Sequence, residues 1–158
     1  QLVGGVRFYE RMGAIFKTNL EKVGIDMEIS RMEWTVFLQK LNKRDYDAIS
    51  LGWTGDIDPD PYQIWHSSQR EGGSNFVNFN HAEADSLMEQ IRATYDQEAR
   101  ALLLVRLHQI IYDEQPYTFL YNSDALLALS KRFTNVQVYP GGLDMLEWQV
   151  NPGVKPTP

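Results

Sequence analysis

Hydrophobic positions in the first part of the chain switch between the period of a helix and that of a strand. Apolar residues recur every three or four positions across residues 6–22, which predicts an amphipathic helix. Across residues 25–30 they alternate with polar residues, the pattern of a half-buried strand. A helix over 35–43 and a short apolar strand over 47–51 follow. Strand, helix and strand joined by short loops predict a βαβ unit with parallel strands, and therefore an α/β fold.

The pattern then predicts a long loop, a pair of helices and several strands. Residues 53–79 show no sustained period, and prolines and glycines interrupt them. A loop of this length in a compact domain is usually functional or disordered, and its many aromatic residues argue against disorder. Asn80 and Asp96 are predicted to begin two helices, and Pro116 to end the second. Three short strands are predicted beyond it, over residues 117–121, 125–129 and 135–139.

Composition and charge narrow the class of protein. The chain has 158 residues, 43% of them hydrophobic, which suffices for one ordinary domain with a core. Its net charge of −6 argues against a nucleic-acid partner, which would need clustered lysine and arginine. The densest basic run, residues 40–44, lies at a predicted helix end, where cations favour the helix dipole and need no partner. There is no cysteine, and no apolar run has the length of a membrane span.

Candidate binding chemistry follows the predicted strand at residues 47–51. Open α/β sheets bind ligands just outside the carboxyl ends of their strands, and a glycine, a tryptophan and several acids stand there in this sequence. Asp56, close to Trp53 and the flexible Gly55, suits a cation such as a free amine. Trp53 would supply an apolar or cation-attracting wall. The structural alternative is that Asp56 caps the turn that follows it.

Other chemistry has little support. Asp56, Asp58 and Asp60 have the spacing that begins a calcium loop, but Pro61 replaces the required glycine and Ser67 the required glutamate. The three histidines have no paired metal-ligand spacing. No nucleophile elbow, phosphate loop or dinucleotide motif occurs, and spacing alone cannot define a glycosidase pair of carboxylates. We therefore predict no cofactor and no catalytic residue.

The string from Gly52 to Asp56, followed by Asp58-Pro59-Asp60, resembles the hallmark of the family 5 bacterial extracellular solute-binding proteins. These are the peptide-binding components of ABC transporters, and the dipeptide-binding branch is the most similar. Further similar segments occur in the same order as in the family, and together the resemblance extends over nearly all of residues 5–150. These segments are residues 24–27, 32–34, 45–48, 73–75, 80–87 and 116–121.

The resemblance implies the C-terminal part of a two-lobed, type II periplasmic-binding-protein (Venus-flytrap) fold, mostly one lobe. Residues 1–112 would form the C-terminal part of the second ligand-binding lobe. Residues 113–158 would return across the hinge to the first lobe. The chain resembles only about the C-terminal third of such proteins and begins with Gln1, so we expect it to be a fragment of a longer chain.

The resemblance also implies a site. Asp56 would bind the α-amino group of a peptide, Trp53 would line the pocket, and backbone around Thr54 and Gly55 would pair with the extended ligand. Asn75 would lie close to the ligand. The implied protein is not an enzyme. It would be periplasmic or extracellular, with a signal peptide outside this chain, and its partners would be a peptide and the transporter's membrane permease subunits. Membrane association would come only through the transporter or a lipid anchor.

Three alternatives accompany this reading. The same fold could bind a nickel chelate or another small solute, because family members differ in cargo. It could also serve as a chemosensory receptor. A hydrolase that uses acidic residues is disfavoured, because no catalytic motif supports it.

Overall fold

The structure, a computed structural model, describes residues 1–55, 58, 60–124 and 126–154. Contacts divide these residues into two units. The first comprises residues 1–54 and 60–117. The second comprises Gly55, Asp58 and the described residues from 118 onward. The assignment of residues 113–158 to a segment that returns across a hinge stays a prediction.

The first unit begins with a small parallel sheet. Strands β1 (Leu2–Val3) and β2 (Arg31–Met32) pair in parallel, with Leu2 opposite Arg31. Helix α1 (Arg7–Glu21) joins them and packs on β1, so β1, α1 and β2 form a βαβ unit. The helix predicted over residues 6–22 is confirmed. Gly24 follows it with a φ of 80°, a left-handed conformation that glycine adopts without steric cost.

The two strands predicted for this region are wrong in their positions. Residues 25–30 form no strand and only lead into β2, and residues 47–51 form no strand either. The N-terminal segment lies beside the second stretch, where the Gln1 amino group donates to the Ala48 carbonyl at 2.6 Å. The Ser50 N–H donates weakly to the Gln1 carbonyl at 3.4 Å. The βαβ unit therefore starts one strand earlier than the hydrophobic pattern predicts.

Helix α2 (Trp34–Lys43) confirms the second predicted helix. The Glu33 carboxylate accepts a hydrogen bond from the Thr35 N–H at 2.7 Å and so caps its first turn. Phe37 and Leu41 are buried, as their spacing predicts. The helix ends at Arg44, whose φ of 54° is left-handed.

The remaining elements of the first unit are helices and one 3-10 turn. Helix α3 (Tyr62–Trp65), a 3-10 turn (Ser67–Gln69), helix α4 (Ala82–Ala93) and helix α5 (Gln97–Glu114) follow in order. Helices α4 and α5 pack along each other. Their shared core consists of nine buried residues, Trp65, Phe79, Ala84, Leu87, Met88, Ile91, Leu107, Ile110 and Ile111.

The ends of these helices test the predicted caps. The Asp96 carboxylate accepts a hydrogen bond from the Ala99 N–H at 2.8 Å, which confirms it as the cap of α5. The helix ends at Gln115, just before Pro116, as predicted. The prediction that Asn80 caps α4 is wrong. His81 is the cap, and its Nδ1 accepts a hydrogen bond from the Ala84 N–H at 3.2 Å.

Not every amphipathic stripe is buried. In α1 the buried position is Gly13, and a Cβ placed there would lie 2.7 Å from the Leu2 Cδ1 atom. Ile15 in the same helix is 62% exposed, and Leu102 in α5 is 73% exposed. Among the described residues, no helix is both long and apolar enough to cross a membrane.

The second unit contains two short antiparallel pairs. Strand β3 (Phe133–Thr134) pairs with β6 (Gln149–Val150), and β4 (Val138–Tyr139) pairs with β5 (Gly142–Leu143). A 3-10 turn covers Met145–Glu147. The strands predicted over 117–121 and over the described part of 125–129 are wrong, and only the end of the predicted strand at 135–139 is a strand.

Candidate functional site

Trp53 lies past the end of the segment that runs beside Gln1, and it is half exposed. Its ring stacks on the Phe76 ring, with centroids 5.9 Å apart and planes 8° from parallel. The Trp53 indole also lies near the Tyr117 hydroxyl and partly opposes the rise in its pKa that burial causes. The stack with Phe76 orients the indole while leaving 44% of the residue accessible. A large aromatic face fixed at a loop is a suitable wall for a ligand.

The segment that carries Phe76 is attached to the end of α2. The Tyr46 hydroxyl donates to the Phe76 carbonyl at 2.7 Å. Arg44 donates from Nη2 to the Asn75 carbonyl at 3.2 Å and more weakly to the Gly73 carbonyl at 3.4 Å. Burial raises the pKa of the Tyr46 hydroxyl, and the nearby Arg44 charge partly opposes that rise. Tyr46 therefore stays a neutral donor at ordinary pH.

Asn75 joins this segment to the helical core. Its side chain is fully buried, and its Oδ1 accepts a hydrogen bond from the Phe79 N–H at 2.9 Å. Its Nδ2 lies within hydrogen-bond distance of the carbonyls of Phe79 (2.8 Å), His66 (3.2 Å) and Trp65 (3.3 Å). Because the amide nitrogen carries only two hydrogens, two of these carbonyls share one of them. The amide thus ties together the segments before and after the glycine-rich turn.

Aromatic rings continue this connection into the core. The Trp65 ring contacts Tyr117 at a centroid distance of 4.4 Å and meets Phe79 edge-on at 5.7 Å. Burial raises the pKa of the Tyr117 hydroxyl, and the nearby Trp53 indole acts against that rise. Tyr117, which lies near the Trp53 indole, is therefore packed on the core of the first unit.

The structure places the predicted site residues in different surroundings. Trp53 and Thr54 lie together and exposed at the end of one stretch, and Gly55 follows them, exposed, in the second unit. Asp56 lies outside the described residues. Asn75 is one residue from Phe76, and the structure gives it a structural role. Its predicted contact with ligand stays a prediction.

Asp60, one of the acidic residues that follow Asp56, has a structural role. Asp60 accepts a hydrogen bond from the Tyr62 N–H at 3.0 Å and another from Arg92 Nε at 2.8 Å. The Arg92 guanidinium also lies over the Tyr62 ring, 3.8 Å from its centroid. Burial by itself raises the pKa of Asp60, but the hydrogen bonds from Arg92 and Tyr62 outweigh it and lower that pKa. Asp60 therefore fixes the start of α3.

A serine, a histidine and an aspartate also meet next to the 3-10 turn. The Ser67 N–H and hydroxyl both donate to the Asp85 carboxylate, the first at 2.9 Å. The His66 Nδ1 accepts a hydrogen bond from the Ser68 N–H at 3.1 Å, and its Nε2 is 4.0 Å from Asp85. The histidine thus serves as a cap and has no hydrogen bond to the Ser67 hydroxyl, so the arrangement is structural rather than that of an activated nucleophile. Among the described residues no group of three or more histidine and acidic side chains is placed to hold a metal ion.

Sequence reasoning missed three residues that build the site. Arg44, Tyr46 and Tyr117 all contact the Trp53–Phe76 stack or the segment beneath it. Each is separated from its partners by 29 residues or more along the chain, so no local pattern connects them. Phe76 had a signal in the concentration of aromatic residues between Trp53 and Phe79.

Comparison with known proteins defines the class. The model of the family described as "Bacterial extracellular solute-binding proteins, family 5 Middle" matches residues 2–76. The chain is 31% identical to the oligopeptide-binding protein AppA of Bacillus subtilis (strain 168) over 138 residues. That match covers 86% of this chain and 25% of AppA. It is 26% identical to the dipeptide-binding protein of Escherichia coli (strain K12) over 135 residues, covering 84% of this chain and 25% of that protein.

The fold agrees with these sequence matches. The solved structure of Bacillus subtilis AppA in complex with a nonapeptide superposes with a TM-score of 0.78 at 28% identity, covering 95% of this chain and 31% of that one. The chain belongs to the family 5 bacterial extracellular solute-binding proteins, and its fold is part of the type II periplasmic-binding-protein fold. It spans about a quarter of the length of the relatives it matches.

Proposed function

We propose that this chain contributes a peptide-contacting part of a substrate-binding component of an ABC transporter, and that it is not an enzyme. The observation that carries the proposal is the Trp53 indole, stacked on the Phe76 ring yet 44% exposed. It stands three residues before Asp56 at the end of an extended segment. The relatives named as oligopeptide- and dipeptide-binding proteins support a peptide as the ligand.

In the proposed mode of binding, the free α-amino group of the peptide pairs with the Asp56 carboxylate. A charge-assisted hydrogen bond of this kind, once shielded from water, contributes about 1.5–3 kcal/mol. Trp53 covers the first part of the ligand and contributes about 0.5–2 kcal/mol through its face. Backbone groups of Thr54 and Gly55 pair with the extended ligand, as in other complexes that add a strand.

The proposal includes a location and partners. The protein would act outside the cytoplasm, held near the membrane by its transporter or by a lipid anchor, and deliver the peptide to the permease subunits. The ATPase of the transporter would supply the energy. Within the described residues, His66 caps the 3-10 turn and Asp85 accepts hydrogen bonds from Ser67, so these side chains serve the fold.

A thermal-shift screen of the full-length protein, as its gene encodes it, tests the proposal. The panel contains dipeptides, longer peptides and nickel chelates. A ligand that binds only the native state raises the melting temperature with concentration by mass action. We expect a shift with free-amine peptides that is smaller in Trp53→Ala and retained in the control Trp148→Ala, which alters a tryptophan of the second unit. A shift with a chelate but not with peptides would change the cargo, and no shift in a folded protein would overturn the proposal.

A further inference from the structure

Arg44, at the end of α2, is built into the candidate site. Its backbone is left-handed, with a φ of 54°, and its side chain reaches residues that lie 29 and 31 positions further along the chain. Nη2 donates to the Gly73 and Asn75 carbonyls, and the guanidinium carbon lies 5.5 Å from the Phe76 ring centroid. An arginine whose only role was to favour the helix dipole would extend into solvent instead.

The surroundings of this charge are unusual. Among the described residues no carboxylate lies within 4.0 Å of the guanidinium, and Nε is buried without a hydrogen-bond partner. Backbone carbonyls and an aromatic face therefore hold the cation where a carboxylate normally would. By comparison, Lys40 in the same basic run pairs with Asp45 at 2.7 Å.

We propose that Arg44 is a positioning residue for ligand binding, one that sets the orientation of the Trp53 indole through the Phe76 ring. The inference rests on the proposed function. Arg44 fixes the backbone on both sides of Ser74 and contacts the ring on which Trp53 stacks. The planar guanidinium can lie along a ring while its nitrogens donate to carbonyls, which a lysine ammonium cannot do at once.

Fluorine NMR of the full-length protein labelled with 5-fluorotryptophan tests the positioning directly. The chain has four tryptophans, and Trp53→Phe assigns the resonance of interest. Arg44→Met and the charge-conserving Arg44→Lys are expected to shift or broaden the Trp53 resonance while those of Trp34 and Trp148 stay in place. Arg106→Met is the control, because Arg106 of α5 pairs with Glu83 of α4 and not with the segment that carries Phe76.

Titration with a free-amine peptide supplies the second readout. We expect both Arg44 variants to bind roughly 2- to 5-fold more weakly than the wild type, the size of one partly exposed cation–π contact. Arg106→Met should bind normally. If the wild type binds no peptide, the proposed function fails, and the Trp53 resonance still decides whether Arg44 positions the indole. If Arg44→Lys is folded and leaves both the Trp53 resonance and the peptide affinity unchanged, the inference is overturned. This result decides the matter even if Arg44→Met does not fold.

Discussion

Replacing Asn75 with alanine removes a buried amide that the structure assigns to holding the candidate site together. The amide accepts one hydrogen bond from the Phe79 N–H and donates its two hydrogens to backbone carbonyls. At about 1 kcal/mol of net stability each, these three bonds contribute about 3 kcal/mol. The buried Phe79 N–H left without a partner adds about 1–3 kcal/mol. The total, about 4–6 kcal/mol, is a large part of the 5–15 kcal/mol that typically stabilises a domain.

Native-state hydrogen exchange measures this effect where it occurs. In the wild type the Phe79 amide should exchange only when the segment opens, so Asn75→Ala should speed its exchange by more than about 100-fold, since 1.36 kcal/mol corresponds to a factor of ten. Asn80→Ala is the matched control, because Asn80 is an exposed asparagine five residues away. An increase of less than tenfold, or an equal effect in Asn80→Ala, would refute the structural role given to Asn75.

The variant Asn75→Asp tests the same hydrogen bonds through the pH dependence of its stability. The new side chain keeps an oxygen for the Phe79 N–H but turns its other oxygen toward the carbonyls of Trp65, His66 and Phe79. The carboxylate form is disfavoured there, so the folded-state pKa of this aspartate should lie above the unfolded value of about 3.9. Its stability should therefore be greatest below about pH 4 and fall as pH rises through the folded-state pKa. Unchanged stability between pH 4 and pH 7, relative to the wild type, would contradict this.

Three further perturbations test other parts of the structure. Leu107→Ala, in the fully buried core between α4 and α5, should cost about 2–5 kcal/mol of stability in chemical unfolding, and a cost under 1 kcal/mol would contradict that burial. Gly13→Val should destabilise the protein by about 1–3 kcal/mol, because any Cβ there meets Leu2, and a stabilised variant would place α1 differently. The Asp60 pKa is lowered in the folded state, so its pair with Arg92 stabilises the protein above the unfolded pKa of about 3.9 and is lost as pH falls through the folded value. Because both side chains are over two-fifths exposed, Asp60→Asn should remove less than about 1 kcal/mol at pH 7 and nothing at pH 2, and an equal loss at both would refute the pairing.

Helices were predictable from this sequence because their signals are local. The caps of α2 and α5, the glycine after α1 and the proline after α5 all act within a few residues of the element they limit. Strands depend on a partner that can lie anywhere in the chain. Residues 25–30 alternate as a strand should, yet the parallel ladder forms only at Arg31–Met32, where β1 lies beside them.

The residue types of the candidate site were visible in the sequence, but the contacts among them were not. The aromatic and acidic residues after the predicted strand pointed to Trp53 and its neighbours. The burial of Asn75 and the reach of Arg44 to Gly73 come from contacts between distant parts of the chain, and residue type alone does not report them. An asparagine has the same hydrogen-bonding groups whether it faces a ligand or the backbone, and here it faces the backbone.

Calorimetric titration of the full-length protein with a peptide and its N-acetylated form tests the central claim most directly. The wild type and Asp56→Asn are each titrated with both ligands, and Asp26→Asn, an exposed aspartate between α1 and β2, serves as the control. If Asp56 binds the α-amino group, acetylation should weaken the wild type strongly, by about 1.5–3 kcal/mol, and weaken Asp56→Asn little, so the two changes are not additive. Additive losses, or full binding by Asp56→Asn, would show that the peptide amine is not held by Asp56 and would contradict the account.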